Sequence, residues 1–325
     1  MTAPGPHLPA VQSPGPFRRI LVSQTDGRLR LFWRLALHGV LSIALITVLT
    51  LPVILGGFVA GAQPDDFVPS TSSPWWTLAL LLPGALAITI STWIARRFLD
   101  RRPFGTLGLA WNPDALPDLV VGFAIAMLMM GAVFAVELAA GWIRFEGYAW
   151  SAMSAGTVVT LTAAALLQFI IAGYQEEIFS RGYHLQNFSE AYGPAAGVLA
   201  SAAIFGVLHA ANPGAGLDST LGIFAAGGFF GFAYLRTQRL WLPIGLHAGW
   251  NFFEGTVFGF PVSGLGFFRL VEHAGGGPEL MTGGSFGPEA GLIVLPALAL
   301  GAFLVWVYTR RRKTPGTHLG GPSSA

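Results

Sequence analysis

Long apolar runs, separated by short polar connections that carry arginines, dominate this chain. A helix that spans a bilayer needs about 20 mostly apolar residues. Eight stretches meet that pattern, near 35–61, 75–95, 119–143, 155–175, 193–211, 219–235, 240–261 and 290–309. The first, third and last are the strongest, the sixth is short and Gly-rich, and the fifth opens on Gly193-Pro194. The predicted fold is therefore all-α, a polytopic membrane bundle of about eight helices. Residues 1–34 read as an N-terminal tail, Pro-rich and polar over 1–17, without the basic segment and short apolar core of a signal peptide. Residues 35–309 form the transmembrane domain, and 310–325 read as a basic, flexible C-terminal tail.

Composition agrees with the pattern. The chain is 53% hydrophobic and 10% charged, with a mean hydropathy of +0.60, whereas soluble domains carry about 25% charged residues. The 43 glycines suit close helix packing, and Gly227 and Gly231 make a G-x-x-x-G spacing on the sixth span. The absence of cysteine excludes disulfides, thiolate metal ligands and a cysteine nucleophile. The small net charge says little, but its distribution is informative. If the spans alternate, every one of the 18 basic residues except Arg144 and Arg269 falls on one side. The positive-inside rule makes that side cytoplasmic. The expectation is a multi-pass integral membrane protein with both termini in the cytoplasm and no nucleic-acid partner.

Polar groups inside such spans need a reason, because a carboxylate at bilayer depth costs about 2.5–3.5 kcal/mol on insertion scales. Gln175-Glu176-Glu177-Ile178-Phe179-Ser180-Arg181 follows an apolar run at 155–174. Successive helical residues turn by about 100°, so Glu177 and Arg181 meet at i,i+4 while Glu176 lies about 140° from Arg181. That divides the labour: Glu177 pairs with Arg181, and Glu176 is left to act as a base. The same helix is expected to run past Glu176 to a turn near Tyr192-Gly193-Pro194. Equal counts from that turn then set Glu176 level with His209 on the next helix. His209 fits a metal ligand, a proton carrier or a packing residue. His247 and Asn251 lie one turn apart, with Glu254 continuing that face. They fit either an oxyanion-binding pair or a polar clamp between helices. Glu137, in the third span, has no assigned role.

The set E-E-x-x-x-R, F-x-x-x-H and H-x-x-x-N, in this order on successive spans, resembles the CPBP family of intramembrane proteases. That family includes the type II CAAX prenyl endopeptidases and the Abi or bacteriocin-immunity proteins. The matches are Glu176, Glu177 and Arg181, then Phe205 and His209, then His247 and Asn251, and they cover a protease core of roughly 155–260. Arg96-Arg97-Phe98-Leu99-Asp100-Arg101-Arg102-Pro103 also looks like the family's loop before its core.

The resemblance implies peptide-bond hydrolysis. Glu176 and His209 would activate water, His247 and Asn251 would stabilise the oxyanion, and Glu177 and Arg181 would hold the site together, with the motif residue Phe205 supporting them; Glu254 joins the supporting residues on its helix face alone. No cofactor is required on this reading. The alternative is a His₂Glu zinc set made of Glu176, His209 and His247, although the zinc-protease sequence H-E-x-x-H is absent. The partners would be the lipid bilayer and a peptide or protein substrate entering from membrane or cytoplasm, a prenylated C-terminus being one option. A catalytically idle scaffold or immunity protein on the same fold, or a proton-coupled transporter, are the competing function classes.

Overall fold

The computed structural model describes residues 16–67 and 73–312. The outer parts of the two expected tails, residues 1–15 and 313–325, lie outside the described residues. In chain order the elements are α1 (Pro16–Leu21), α2 (Leu31–Val59), α3 (Pro74–Ile94), α4 (Ala115–Ala139), β1 (Ile143–Tyr148), α5 (Ala155–Glu177), α6 (Gln186–Tyr192), α7 (Pro194–His209), α8 (Leu217–Thr237), α9 (Trp241–Asn251), β2 (Val271–Gly275), α10 (Glu279–Thr282) and α11 (Val294–Thr309). Turns of π-helix extend three of them, at Ala95–Leu99, Ile178–Leu185 and Phe252–Val257.

The molecule is a membrane helix bundle. Among the described residues four continuous helices are long and apolar enough to cross a bilayer: Leu31–Val59, Pro74–Leu99, Ala115–Ala139 and Ala155–Tyr192. Pro194–His209 and Val294–Thr309 are shorter apolar helices. Large apolar side chains such as Val40, Ile43, Val48, Leu55 and Val59 on α2 are exposed, and an apolar surface of that extent needs lipid or protein to cover it.

Local sequence sets where the helices start and stop. Ser154 caps α5 by accepting from the Thr157 N–H at 3.2 Å. Gly193, at φ 90°, ends the helix that begins as α5, and Pro194 opens α7. The expected hairpin is thus formed: residues 155–192 run as one helix through the π-helical turn, and α7 returns beside it.

Packing is closest where glycines let backbones touch. A Cβ on Gly245 would stand 2.1 Å from the Leu119 carbonyl oxygen, and one on Gly249 would stand 2.9 Å from Phe123 Cα. Helix α9 therefore lies directly on α4. The G-x-x-x-G pair of α8 packs on α7 in the same way, Gly227 on Ala202 and Gly231 on Val198. The main core joins these helices to α11 through Met129, Met130, Phe229, Phe230, Leu246, Trp250 and Leu298.

Polar contacts fasten one end of the bundle. Asp100, buried, accepts from Arg34 at 2.8 Å, Arg96 at 3.1 Å and Asn187 at 3.1 Å, which ties together α2, α3 and α6. Arg28 pairs with Glu190, as does Arg102 at 2.9 Å. The N-terminal segment therefore departs from the expected tail over residues 16–34. It holds α1, a bridge between Val22 and Leu29, and the first turn of α2.

The opposite end carries a feature with no helical period, the antiparallel hairpin of β1 and β2. Its register runs from Ile143 opposite Gly275 to Tyr148 opposite Val271, with an irregularity between Phe145 and Gly147.

Candidate active site

Glu176 and Glu177 leave the end of α5 in different directions, as helix geometry requires. Glu177 is fully buried; its Oε1 accepts from Arg181 at 2.6 Å and from His247 Nδ1 at 2.9 Å. Arg181, also fully buried, donates on to the Gly227 carbonyl of α8 at 3.0 Å. Its guanidinium lies over the rings of Phe205 at 4.5 Å and Phe230 at 5.1 Å, an arrangement that favours a desolvated cation. The pair therefore extends from α5 to α8 and α9. It also fixes His247, whose Nδ1 is engaged with Glu177 and whose ring stacks on Phe230 at 4.9 Å and 14°.

Glu176 keeps 30% side-chain exposure. Its Oε2 lies 3.7 Å from Nε2 of His209 and 3.7 Å from Nε2 of His247. Those separations exceed direct hydrogen-bonding distance but are short enough for one water to touch the carboxylate and an imidazole. The His209 tautomer follows from its other nitrogen. Nδ1 is 2.8 Å from the Phe205 carbonyl oxygen, which can only accept, so Nδ1 carries the proton and Nε2 presents a lone pair in the neutral ring. The Phe205 ring sits against His209 at 4.5 Å. In two of the three motif helices the α-helix passes into π-helical turns, at Ile178 just after Glu177 and at Phe252 just after Asn251, and π-helical turns recur at functional sites.

Glu176, His209, His247 and Asn251 line one cavity of about 230 Å³. Glu176, Phe205 and His209 also line a larger apolar groove of about 630 Å³, whose other wall includes Ile43 and Ile46 of α2 and Leu80 and Leu81 of α3. The structure thus brings together the four candidate catalytic residues, with Glu177, Arg181 and Phe205 behind them.

Glu254 is the exception and corrects the expectation from spacing. On a continuing α-helix it would share the face of His247 and Asn251. The π-helical turn begins at Phe252 and changes the phase, so Glu254 is fully buried against Gly287 and does not line the cavity. Glu137 is buried too and likewise absent from the lining.

Sequence reasoning missed several lining residues: Gln175, Asn212, Phe230, Trp250, Ser263 and Glu289. Gln175 adjoins the first motif and Trp250 lies inside the third, so adjacency was an available signal. Ser263 and Glu289 come from irregular segments without a period, and nothing local marked them. Among the described residues no group of three His, Cys, Asp or Glu side chains is arranged to hold a metal ion.

Comparison with known proteins shows what the chain resembles. YyaK, an uncharacterized protein of Bacillus subtilis (strain 168), is 31% identical over 169 residues, a match covering 50% of this chain and 54% of YyaK. The match thus spans about half the length of that relative. YdiL of the same organism, named provisionally as a membrane peptidase, is 25% identical over 215 residues, covering 63% of this chain and 80% of YdiL. No solved structure matches the chain at a significant level. The family model described as "Type II CAAX prenyl endopeptidase Rce1-like" matches residues 158–253, the segment that supplies Glu176, Glu177, Arg181, Phe205, His209, His247 and Asn251. Over that segment, 96 of the 325 residues, the chain is similar to the Rce1-like type II CAAX prenyl endopeptidases.

Proposed function

We propose that this protein is an intramembrane endopeptidase that hydrolyses a peptide bond with water activated by Glu176 and His209. The observation that carries the reading is the placing of one Glu176 carboxylate oxygen 3.7 Å from both imidazole Nε2 atoms in a cavity that Asn251 also lines. Water held between Glu176 and His209 gives up a proton as its oxygen bonds to the scissile carbonyl carbon. The carbonyl electrons move to oxygen, and Asn251 Nδ2 and His247 Nε2 donate to that oxyanion. In this role His247 keeps its Nδ1 proton on Glu177, so the imidazolium is the donating form. The captured proton then passes to the departing amine as the C–N bond breaks. Exclusion of bulk water from the cavity strengthens each of these interactions.

The substrate is a peptide segment reaching the site along the apolar groove beside α2 and α3, whose walls suit an apolar side chain or a lipid-borne chain. The eight helical segments cross the bilayer with both termini in the cytoplasm, a topology supported by the basic residues outside Arg144 and Arg269.

The test compares the peptide termini of membrane proteins from cells producing wild type or Glu176→Gln at equal abundance. A set of new termini present only with wild type is expected; identical sets would overturn the reading. Strong chelation is expected to leave those cleavages intact. Loss on chelation with recovery on adding zinc would instead make Glu176, His209 and His247 metal ligands.

A further inference from the structure

One wall of the catalytic cavity comes from outside the family segment. Glu289 lies in a short helical turn (Pro288–Ala290), only 4% exposed, and lines the same cavity as Glu176, His209, His247 and Asn251. Its Oε1 accepts from Trp250 Nε1 at 3.1 Å, and its Oε2 accepts from the Ser263 N–H at 2.7 Å and Oγ at 2.6 Å. All three partners donate. The two carboxyl oxygens accept all three together, whereas an amide would turn its own N–H toward a donor.

Each partner leads to the catalytic groups. Trp250 stands next to Asn251 on α9, and its ring meets Phe230 at 6.3 Å, the ring that stacks on His247. Ser263 is held at φ 49°, a left-handed conformation uncommon for any residue but glycine; strain of this kind collects at functional sites. In that conformation its N–H and hydroxyl both reach one carboxylate oxygen. The Ser263 carbonyl accepts from Asn212 Nδ2 at 3.0 Å, and the Asn212 N–H donates to the His209 carbonyl at 3.0 Å. One buried carboxylate therefore reaches α9 through Trp250 and the end of α7 through Ser263 and Asn212.

We infer that Glu289 is a positioning residue that holds His209 against the His247–Asn251 face at the spacing the reaction requires. The inference rests on the peptidase reading of the site. Its two oxygens take three donors while the buried Glu254 carboxylate is an acidic neighbour; a group so enclosed has little use as a solubilising charge, and its position between the two motif helices explains its burial.

The experiment uses the full chain in lipid nanodiscs with isotope-labelled histidine. The imidazole resonances of His209 and His247 are read alongside the Glu176-dependent cleavages in membranes. Glu289→Gln and Ser263→Ala are each expected to shift both imidazole signals. Each should also lower cleavage about 10- to 100-fold, the usual scale for losing a group that orients a catalytic residue. Their effects in the double variant should be less than additive, because they break one shared node. Asn212→Ala, which cuts only the α7 arm, should shift His209 and spare His247, and it serves if Glu289→Gln does not fold. Folded Glu289→Gln with both imidazole signals unmoved would overturn the inference, as would Asn212→Ala with His209 unmoved. A failure of the peptidase reading looks different: no cleavage depends on Glu176, while the imidazole shifts still report on the node.

Discussion

At the scale of single residues, adjacent acids in one motif have opposite physical situations. Glu177 has no exposed side-chain surface and is bonded to two cationic or donor groups, whereas Glu176 keeps 30% exposure and no direct hydrogen bond to either imidazole. Glu177→Gln should leave Arg181 buried without its counter-charge and destabilise the protein by about 3–5 kcal/mol. Glu176→Gln should alter stability by less than about 1 kcal/mol and still abolish cleavage. Thermal unfolding of both variants in nanodiscs, with cleavage measured in parallel, checks the contrast. Equal stability losses would mean that the acids share a structural role. This division was legible in the sequence, because Glu177 and Arg181 are four residues apart. The reach of Glu177 to His247 was not, since it depends on how α9 docks.

At the scale of elements, the backbone contact between α4 and α9 fixes the position of His247 and Asn251. Gly245→Ala would drive a methyl group into the Leu119 carbonyl, 2.1 Å from the ideal Cβ position. Backbone cannot yield as a flexible side chain can, so a loss of at least about 1–3 kcal/mol is expected. It is measurable as a lower unfolding temperature together with reduced cleavage. The β1–β2 hairpin makes a separate prediction. His273 of β2 is half-buried against Phe134 and Phe260. Burial, followed by the charge of Arg269, holds its pKa below the ordinary 6.5. The folded hairpin then binds fewer protons than the unfolded one near and below that value, so its stability is full above pH 6.5 and falls as pH drops through it. Amide exchange of the hairpin, corrected for intrinsic rates, should quicken on acidification, and His273→Phe should remove the dependence.

At the scale of the whole molecule, the ionic node at Asp100 sets the bundle's geometry at its basic end. Asp100→Ala should strand Arg34 and Arg96 without a counter-charge and lower stability by about 3–5 kcal/mol, read as a fall in unfolding temperature. Native-like stability would show that water or Glu190 compensates. Much of this architecture could be read from the chain. Apolar runs marked the helices, although among the described residues four rather than eight are long and apolar enough to span a bilayer, and Gly193-Pro194 gave the turn that brings Glu176 beside His209. The parts that escaped have no period. The π-helical turn at Phe252 rotates Glu254 off its expected face, and the segments around Ser263 and Glu289 are irregular backbone whose partners are distant in sequence. The hairpin was hidden for the same reason, since β1 is short and irregular between Phe145 and Gly147.

The apolar groove that shares Glu176 and His209 with the smaller cavity has a kinetic consequence. A peptidase supplied through that groove meets its substrate by diffusion within a two-dimensional solvent. Its saturation then depends on the mole fraction of substrate among lipids rather than on bulk molarity. Diluting the bilayer with inert lipid slows such an enzyme even when every bulk concentration in the tube is unchanged.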